Sequence, residues 1–229
     1  NDVVSMWREA MRENRMAMDS LMNFAEARRE IVPANRQAYL LSPYSLHKIE
    51  GLMSAPPADS PWNFVDDWLV TGPFALGMES EQDTTIPSGM LEKYPPELGF
   101  DRTAIFEVVD GRANWQLANA DMSGKLDLLH YFGTTVNVIA YARTVVVAPS
   151  DMQVDMSLGS NDGAQVLVNG ESVFLLHTGR GASPHMDTIP VNLREGENEI
   201  LVKVENYGSN WQLYLSFDDP DRKLEFRVQ

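Results

Sequence analysis

From Asp151 onward, apolar and polar residues alternate. Met152, Val154, Met156 and Leu158 are interleaved with Asp151, Gln153, Asp155 and Ser157. A period of two is that of a strand with one face buried and one wet. Asn161-Asp-Gly163 then turns the chain, Val166 and Val168 follow, and Asn169-Gly170 is a strong hairpin signal. Ser172–His177 pairs back. Glu195-Gly-Glu-Asn198 forms another turn before Ile200, Val202 and Val204. Trp211, Leu213, Leu215 and Phe217 alternate with Gln212, Tyr214 and Ser216, and Leu224, Phe226 and Val228 form a last strand after Asp218-Asp-Pro-Asp221. Upstream, Phe64–Val70 is expected to be a strand ending at Thr71-Gly-Pro73, and Thr103–Val109 another, turned at Asp110-Gly111. Short strands at this cadence, with no helices between them, predict a mostly-β sandwich.

The first segment has a different period. Val4, Trp7, Met11, Met18, Leu21 and Ala25 line one helical face, interrupted at Asn14, and Ile31-Val-Pro33 ends the helix. That stripe either docks on the following domain or continues an upstream helical region. A shorter helix is expected at 45–53. Residues 54–61, Ser-Ala-Pro-Pro-Ala-Asp-Ser-Pro, read as a linker. The expected organisation is a helical appendage over 1–53, a linker over 54–61 and a sandwich over 62–229. Residues 77–101, with three prolines and three glycines, are read as a long surface excursion rather than an element.

Charge narrows the partners. The net charge is −15. Residues 1–50 hold 7 basic and 7 acidic side chains, so the excess of acids belongs to the rest. Such a field repels phosphate backbones, so nucleic acid is not an expected partner. No apolar run reaches the ~20 residues needed to cross a bilayer, so no membrane insertion is expected. Cysteine is absent, which removes disulfides and thiolate chemistry. The chain opens on Asn1 rather than Met, which suggests a processed or excised piece, and any export signal would have been lost with the upstream segment.

Several pieces of the chain resemble a known family. They are Trp68-Leu-Val-Thr-Gly-Pro-Phe74, Gly124-Lys-Leu-Asp-Leu128 and Tyr141-Ala142, followed by Gly159-Ser-Asn-Asp-Gly163 and Val168-Asn-Gly170. Arg180-Gly181 with Asp187, Leu193 with Gly196 and Asn198, and Trp211 complete the set. In this order they resemble a galactose-binding-like jelly-roll module, similar to the sugar-binding domains of β-galactosidase-type and β-glucuronidase-type glycosidases and to modules of secreted bacterial proteins. The resemblance implies a jelly-roll β-sandwich beyond the helical part. It also implies an extracytoplasmic setting: secreted, periplasmic or cell-surface. Most of the matching positions are structural. Gly163 and Gly170 supply turn conformations, Asn169 serves its own turn, and Asn198 closes the turn before the last core strands.

Candidate chemistry is sparse. Trp62, Trp68, Trp115 and Trp211 could stack on the C–H faces of a sugar, and Trp115 and Trp211 sit best, each beside polar loop residues that include Asn210. Their alternative role is to cover the core. The loop 178–187 carries Arg180, His185 and Asp187 and could form a binding rim; alternatively, Asp187 pairs locally with Arg180. No cofactor is expected, apart from a structural calcium of the kind such sandwiches hold. Asp218, Asp219 and Asp221 are the oxygen-rich cluster that could take it, with Asp66, Asp67 and Glu79 as a second. His47, His130, His177 and His185 lack zinc spacing, and no nucleophile elbow, phosphate loop or dinucleotide motif is present. The expected function is therefore a non-catalytic accessory module of a larger carbohydrate-processing protein, with glycan or a neighbouring domain as partner. A ligand-free spacer is the alternative, and a glycoside hydrolase, which needs paired carboxylates across a cleft, ranks third.

Overall fold

The structure, a computed structural model, describes residues 60–77, 86–208 and 210–228. The expected helices at 4–25 and 45–53 lie outside those residues, as does most of the linker.

The expected alternation appears as two antiparallel sheets facing each other. One has the order β1-β13-β8-β11, with β6 also pairing β13. These strands are β1 (Trp62–Phe64), β6 (Lys125–Asp127), β8 (Met152–Asn161), β11 (Asp187–Leu193) and β13 (Gln212–Asp218). The other has the order β10-β9-β12-β7-β2-β5, with β14 beside β7. Its members are β2 (Asp67–Ala75), β5 (Gln116–Asn119), β7 (Val138–Ala148), β9 (Ala164–Val168), β10 (Glu171–Leu176), β12 (Gly196–Asn206) and β14 (Glu225–Arg227). A separate hairpin joins β3 (Ile105–Val108) to β4 (Gly111–Asn114). Two single-turn helices, α1 (Ser88–Leu91) and α2 (Leu129–Phe132), and a 3-10 turn at Pro95–Glu97 complete the described elements. The chain is thus a mostly-β, two-layer sandwich, as the alternation and the resemblance imply.

The sheets bury one face each against the other. Trp68, Val70, Leu126, Met156, Leu158, Val166, Val202, Trp211, Leu213 and Phe217 meet in this central core. The turns behave as expected. Asn169 and Gly170 both take positive φ, 52° and 81°. Asn198 donates to the Arg194 and Gly196 carbonyls and accepts from the Arg194 N–H, which closes the turn into β12.

Two expectations change. The strand expected over Phe64–Val70 is split between β1 and β2, and β2 runs on through Gly72-Pro73 to Ala75 with a register shift between Thr71 and Phe74. The 77–101 excursion is also more than a surface loop, because α1 and a 3-10 turn at Pro95–Glu97 lie over the outer face of the seven-stranded sheet. There Met90, Phe106 and Trp115 cover Leu69, Phe74, Ile139, Tyr141, Leu167 and Leu201 in a second core. The middle of that sheet is therefore covered on both faces, and β7 is buried along nearly its whole length.

Lys203 fastens this cover. It projects from the same face of β12 as Leu201, and its side chain is fully buried. Its Nζ lies 2.7 Å from Glu97 Oε1 and donates to the Gly89, Met90 and Glu92 carbonyls. Tyr141 also donates its hydroxyl to Glu97. A buried ammonium persists only when its proton donors are matched in this way.

Candidate functional site

The two tryptophans expected to stack on sugar are both inside. Trp211 is fully buried in the central core, and Trp115 is 4% exposed in the second core, edge-on to Phe106. A ring surrounded by side chains offers no face to a ligand, so the stacking role assigned to both is corrected. The reason is that each sheet face is covered: Trp211 faces the opposite sheet and Trp115 lies beneath the 86–115 cover. Trp68 is buried as well, with its indole N–H donating to the Val65 carbonyl.

The loop between β10 and β11 brings Arg180, His185 and Asp187 together. It starts at the seven-stranded sheet and ends at the five-stranded one, so it crosses one end of the sandwich. Arg180 Nη2 lies 2.6 Å from Asp187 Oδ2 and 2.8 Å from Ser160 Oγ, so the local Arg180–Asp187 pair is formed. The Arg180 N–H and the Tyr207 N–H donate to the two oxygens of Asp162. Below them, the Tyr207 hydroxyl donates to Glu205, and His177 Nδ1 lies 2.9 Å from Glu205 Oε1. Gly163 permits this packing, because a Cβ there would sit 2.4 Å from Glu205 Oε2 and from the Leu176 carbonyl. Asn210 is exposed on the β12–β13 loop, which begins at Tyr207 on the same end.

Burial pushes the carboxyls of Glu205 and Asp162 above their ordinary range, against the hydrogen bonds that favour ionisation. A raised carboxyl pKa means the folded chain holds a proton that the unfolded chain releases. The associated stability is complete below the unfolded value of about 4 and is lost as pH rises through the folded values. Glu205→Gln should flatten this part of the profile. Melting temperature recorded from acid to neutral pH is expected to fall less steeply for the variant than for the parent, and parallel curves would contradict the assignment.

Further along, the loop folds back over the outer face of the five-stranded sheet. Gly159 makes this possible, since a Cβ there would meet the Ser183 carbonyl oxygen at 1.9 Å. His185, at φ 62°, lays its ring on Trp62, with centroids 4.6 Å apart and planes tilted 33°. The Phe64 ring lies 5.6 Å from that of His185, and Ser157 Oγ lies 2.8 Å from His185 Nδ1. Burial holds the imidazole pKa below its ordinary value, so the ring is neutral at neutral pH. Trp62 and His185 are both incompletely buried, and Trp62 is the one tryptophan among the described residues outside the two cores. By sequence alone Trp62 ranks below Trp115 and Trp211. The signal for the opposite ranking was its place at the start of a short strand directly after a proline-rich stretch.

Compared with known proteins, no family model and no curated protein matches this chain. Among solved structures it is similar to a family 35 carbohydrate-binding module from Clostridium thermocellum. The two are 20% identical over 35% of this chain and 71% of that one, with a TM-score of 0.29. It is also similar to the PA14 sugar-binding domain from an RTX adhesin, 18% identical over 39% of this chain and 51% of that one, TM-score 0.30. A third is the β-glucosidase from Kluyveromyces marxianus in complex with glucose, 10% identical over 71% of this chain but only 17% of the enzyme, TM-score 0.36. These are partial overlays, and no role follows from them for this chain.

Asp219 and Asp221 of the acidic cluster are engaged within the chain. Asp219 is buried, and its two oxygens accept from the Lys223 and Leu224 N–H groups and from Asn63 Nδ2. It organises the turn between β13 and β14. Asp221 pairs with Lys223 at 2.7 Å, and Asp218 is exposed opposite Trp62. Among the described residues, no group of three or more histidines and acids is placed to hold a metal ion. Glu79, from the second cluster, lies outside them. None of the described helices is long and apolar enough to cross a membrane.

Proposed function

We propose that this chain is a non-catalytic module of a larger extracytoplasmic carbohydrate-processing protein, and that it binds glycan on the outer face of its five-stranded sheet. The observation that carries this reading is the Trp62–His185 pair. It consists of two incompletely buried rings 4.6 Å apart, flanked by Ser157 and backed by the Arg180–Asp187 loop. The face of an aromatic ring is electron-rich and attracts the weakly positive C–H face of a pyranose, while nearby hydroxyl and imidazole groups serve the sugar hydroxyls. The carboxylates Asp162 and Glu205 are hydrogen-bonded beneath the loop rather than set across an open cleft, which favours binding over hydrolysis.

Isothermal titration of the full chain against glycans selected on an array tests this. Trp62→Ala is expected to weaken binding at least about tenfold, the loss of one good stacking contact. Unchanged affinity in that variant would remove the platform from the proposal. One feature favours a ligand-free spacer instead: Arg180 and Asp187 are paired with each other. An array with no hits would leave the spacer standing.

A further inference from the structure

The two sheets also meet at a second place. β10 and β11 are edge strands of the two sheets, and a groove of about 430 Å³ runs beside them. It is lined by Val168, Glu171 and Val173 on one side and by Pro190, Asn192 and Arg194 on the other. Asp187 and Arg194 bracket β11, so the groove lies at the opposite end of that strand from the loop carrying His185. Its volume falls within the ~300–1,000 Å³ of small-ligand clefts.

Three features bear on what it takes. First, the side chains of Glu171, Asn192 and Arg194 form no hydrogen bond or ion pair with the described residues, although all three line the one groove. Second, the groove's neighbour Asn169 is held rigidly: its amide donates to Asn198 Oδ1 and accepts from the Glu199 N–H. Third, both edges resist an added strand. The β10 register breaks between Ser172 and Phe174, and Pro190 removes a donor from the middle of β11. An extended peptide is therefore a poor occupant. A zwitterion gains little here, because Glu171 and Arg194 are exposed and such ion pairs contribute at most about 1 kcal/mol. A carboxylate, a carboxamide and a guanidinium above valine and proline suit a compact polyol. Each planar group can serve two vicinal hydroxyls while the ring's C–H groups lie on the apolar lining. The net charge of −15 disfavours acidic sugars.

We infer that this groove is a second carbohydrate subsite that takes one or two rings of a neutral sugar, so that the module is bivalent. The ligand class rests on the glycan-binding reading; the location rests on the groove alone. The test is titration of the ¹⁵N-labelled full chain with methyl β-galactoside, methyl β-glucoside and glycine, followed by amide shifts. With a neutral glycoside, the amides of residues 168–173 and 191–194 are expected to move. Glu171→Gln and Arg194→Gln are each expected to weaken that response about two- to fivefold, in line with the loss of one solvent-exposed hydrogen bond. Trp62→Ala should leave the groove shifts in place. Shifts confined to the Trp62–His185 region would overturn the groove while leaving glycan binding intact. Groove shifts insensitive to Glu171→Gln and Arg194→Gln, or produced by glycine and not by the glycosides, would overturn it as well. No shift anywhere, together with a blank glycan array, would remove both readings.

Discussion

Lys203→Met is expected to lower the melting temperature by roughly 6–20 °C. The substitution removes the ammonium and leaves Glu97, 3% exposed in its side chain, as a buried carboxylate facing three backbone carbonyls. Breaking one partner of a buried pair costs about 3–5 kcal/mol, which converts to that interval for a chain of this size. Removing both charges with Lys203→Met and Glu97→Gln should recover part of the loss, because the glutamine still accepts the Tyr141 hydroxyl without carrying a charge. Burial lowers the Lys203 pKa, so the ammonium depends on Glu97 and the carbonyls for its proton. Thermal unfolding by circular dichroism reads both variants. If the single variant melts within a degree or two of the parent, the pair does not hold the cover over the sheet.

Trp211→Ala is expected to cost a similar amount, about 3–5 kcal/mol, with sugar affinity unchanged. The ring has no solvent-exposed surface and packs against Phe132 and the central core. Its loss leaves a cavity between the sheets that the strands cannot close. Trp62→Ala should show the converse: a smaller shift in melting temperature and a large loss of binding. Denaturant titration and calorimetry of the two variants side by side separate a core tryptophan from a binding one. A Trp211→Ala protein of parental stability with reduced sugar affinity would reverse the assignments.

The strands that alternate were legible because one face of each is wet somewhere along its length. β13 and β11 show this in their burial patterns. The alternation predicts β8 only to Leu158, and the strand continues to Asn161, with Ser157 and Gly159 sheltered by the loop from β10. β7 escaped the alternation altogether. Ile139 and Tyr141 face the second core while Val138, Ala140 and Ala142 face the first, so both sides of the strand are apolar up to Arg143. In β12, Lys203 and Glu205 alternate with Val202 and Val204 as on a strand with one wet face, yet both charges are buried, because the outer face of that sheet is covered.

The site divides in the same way. That Arg180, His185 and Asp187 share one loop is evident from their proximity in the chain, and the local Arg180–Asp187 pair was among the alternatives. That His185 rests on Trp62, more than a hundred positions away, depends on β1 pairing with β13 and β13 with β8. The amino-acid sequence alone determined the strand class, the turns at Asn169-Gly170 and Asn198, and an acidic surface, because these follow from local conformational preference and composition. Which tryptophan faces water, which acids are tied up in turns and which edges leave a groove were decided by long-range pairing. Burial is a property of what packs against a residue, and that partner is set by the fold rather than by its neighbours in the chain.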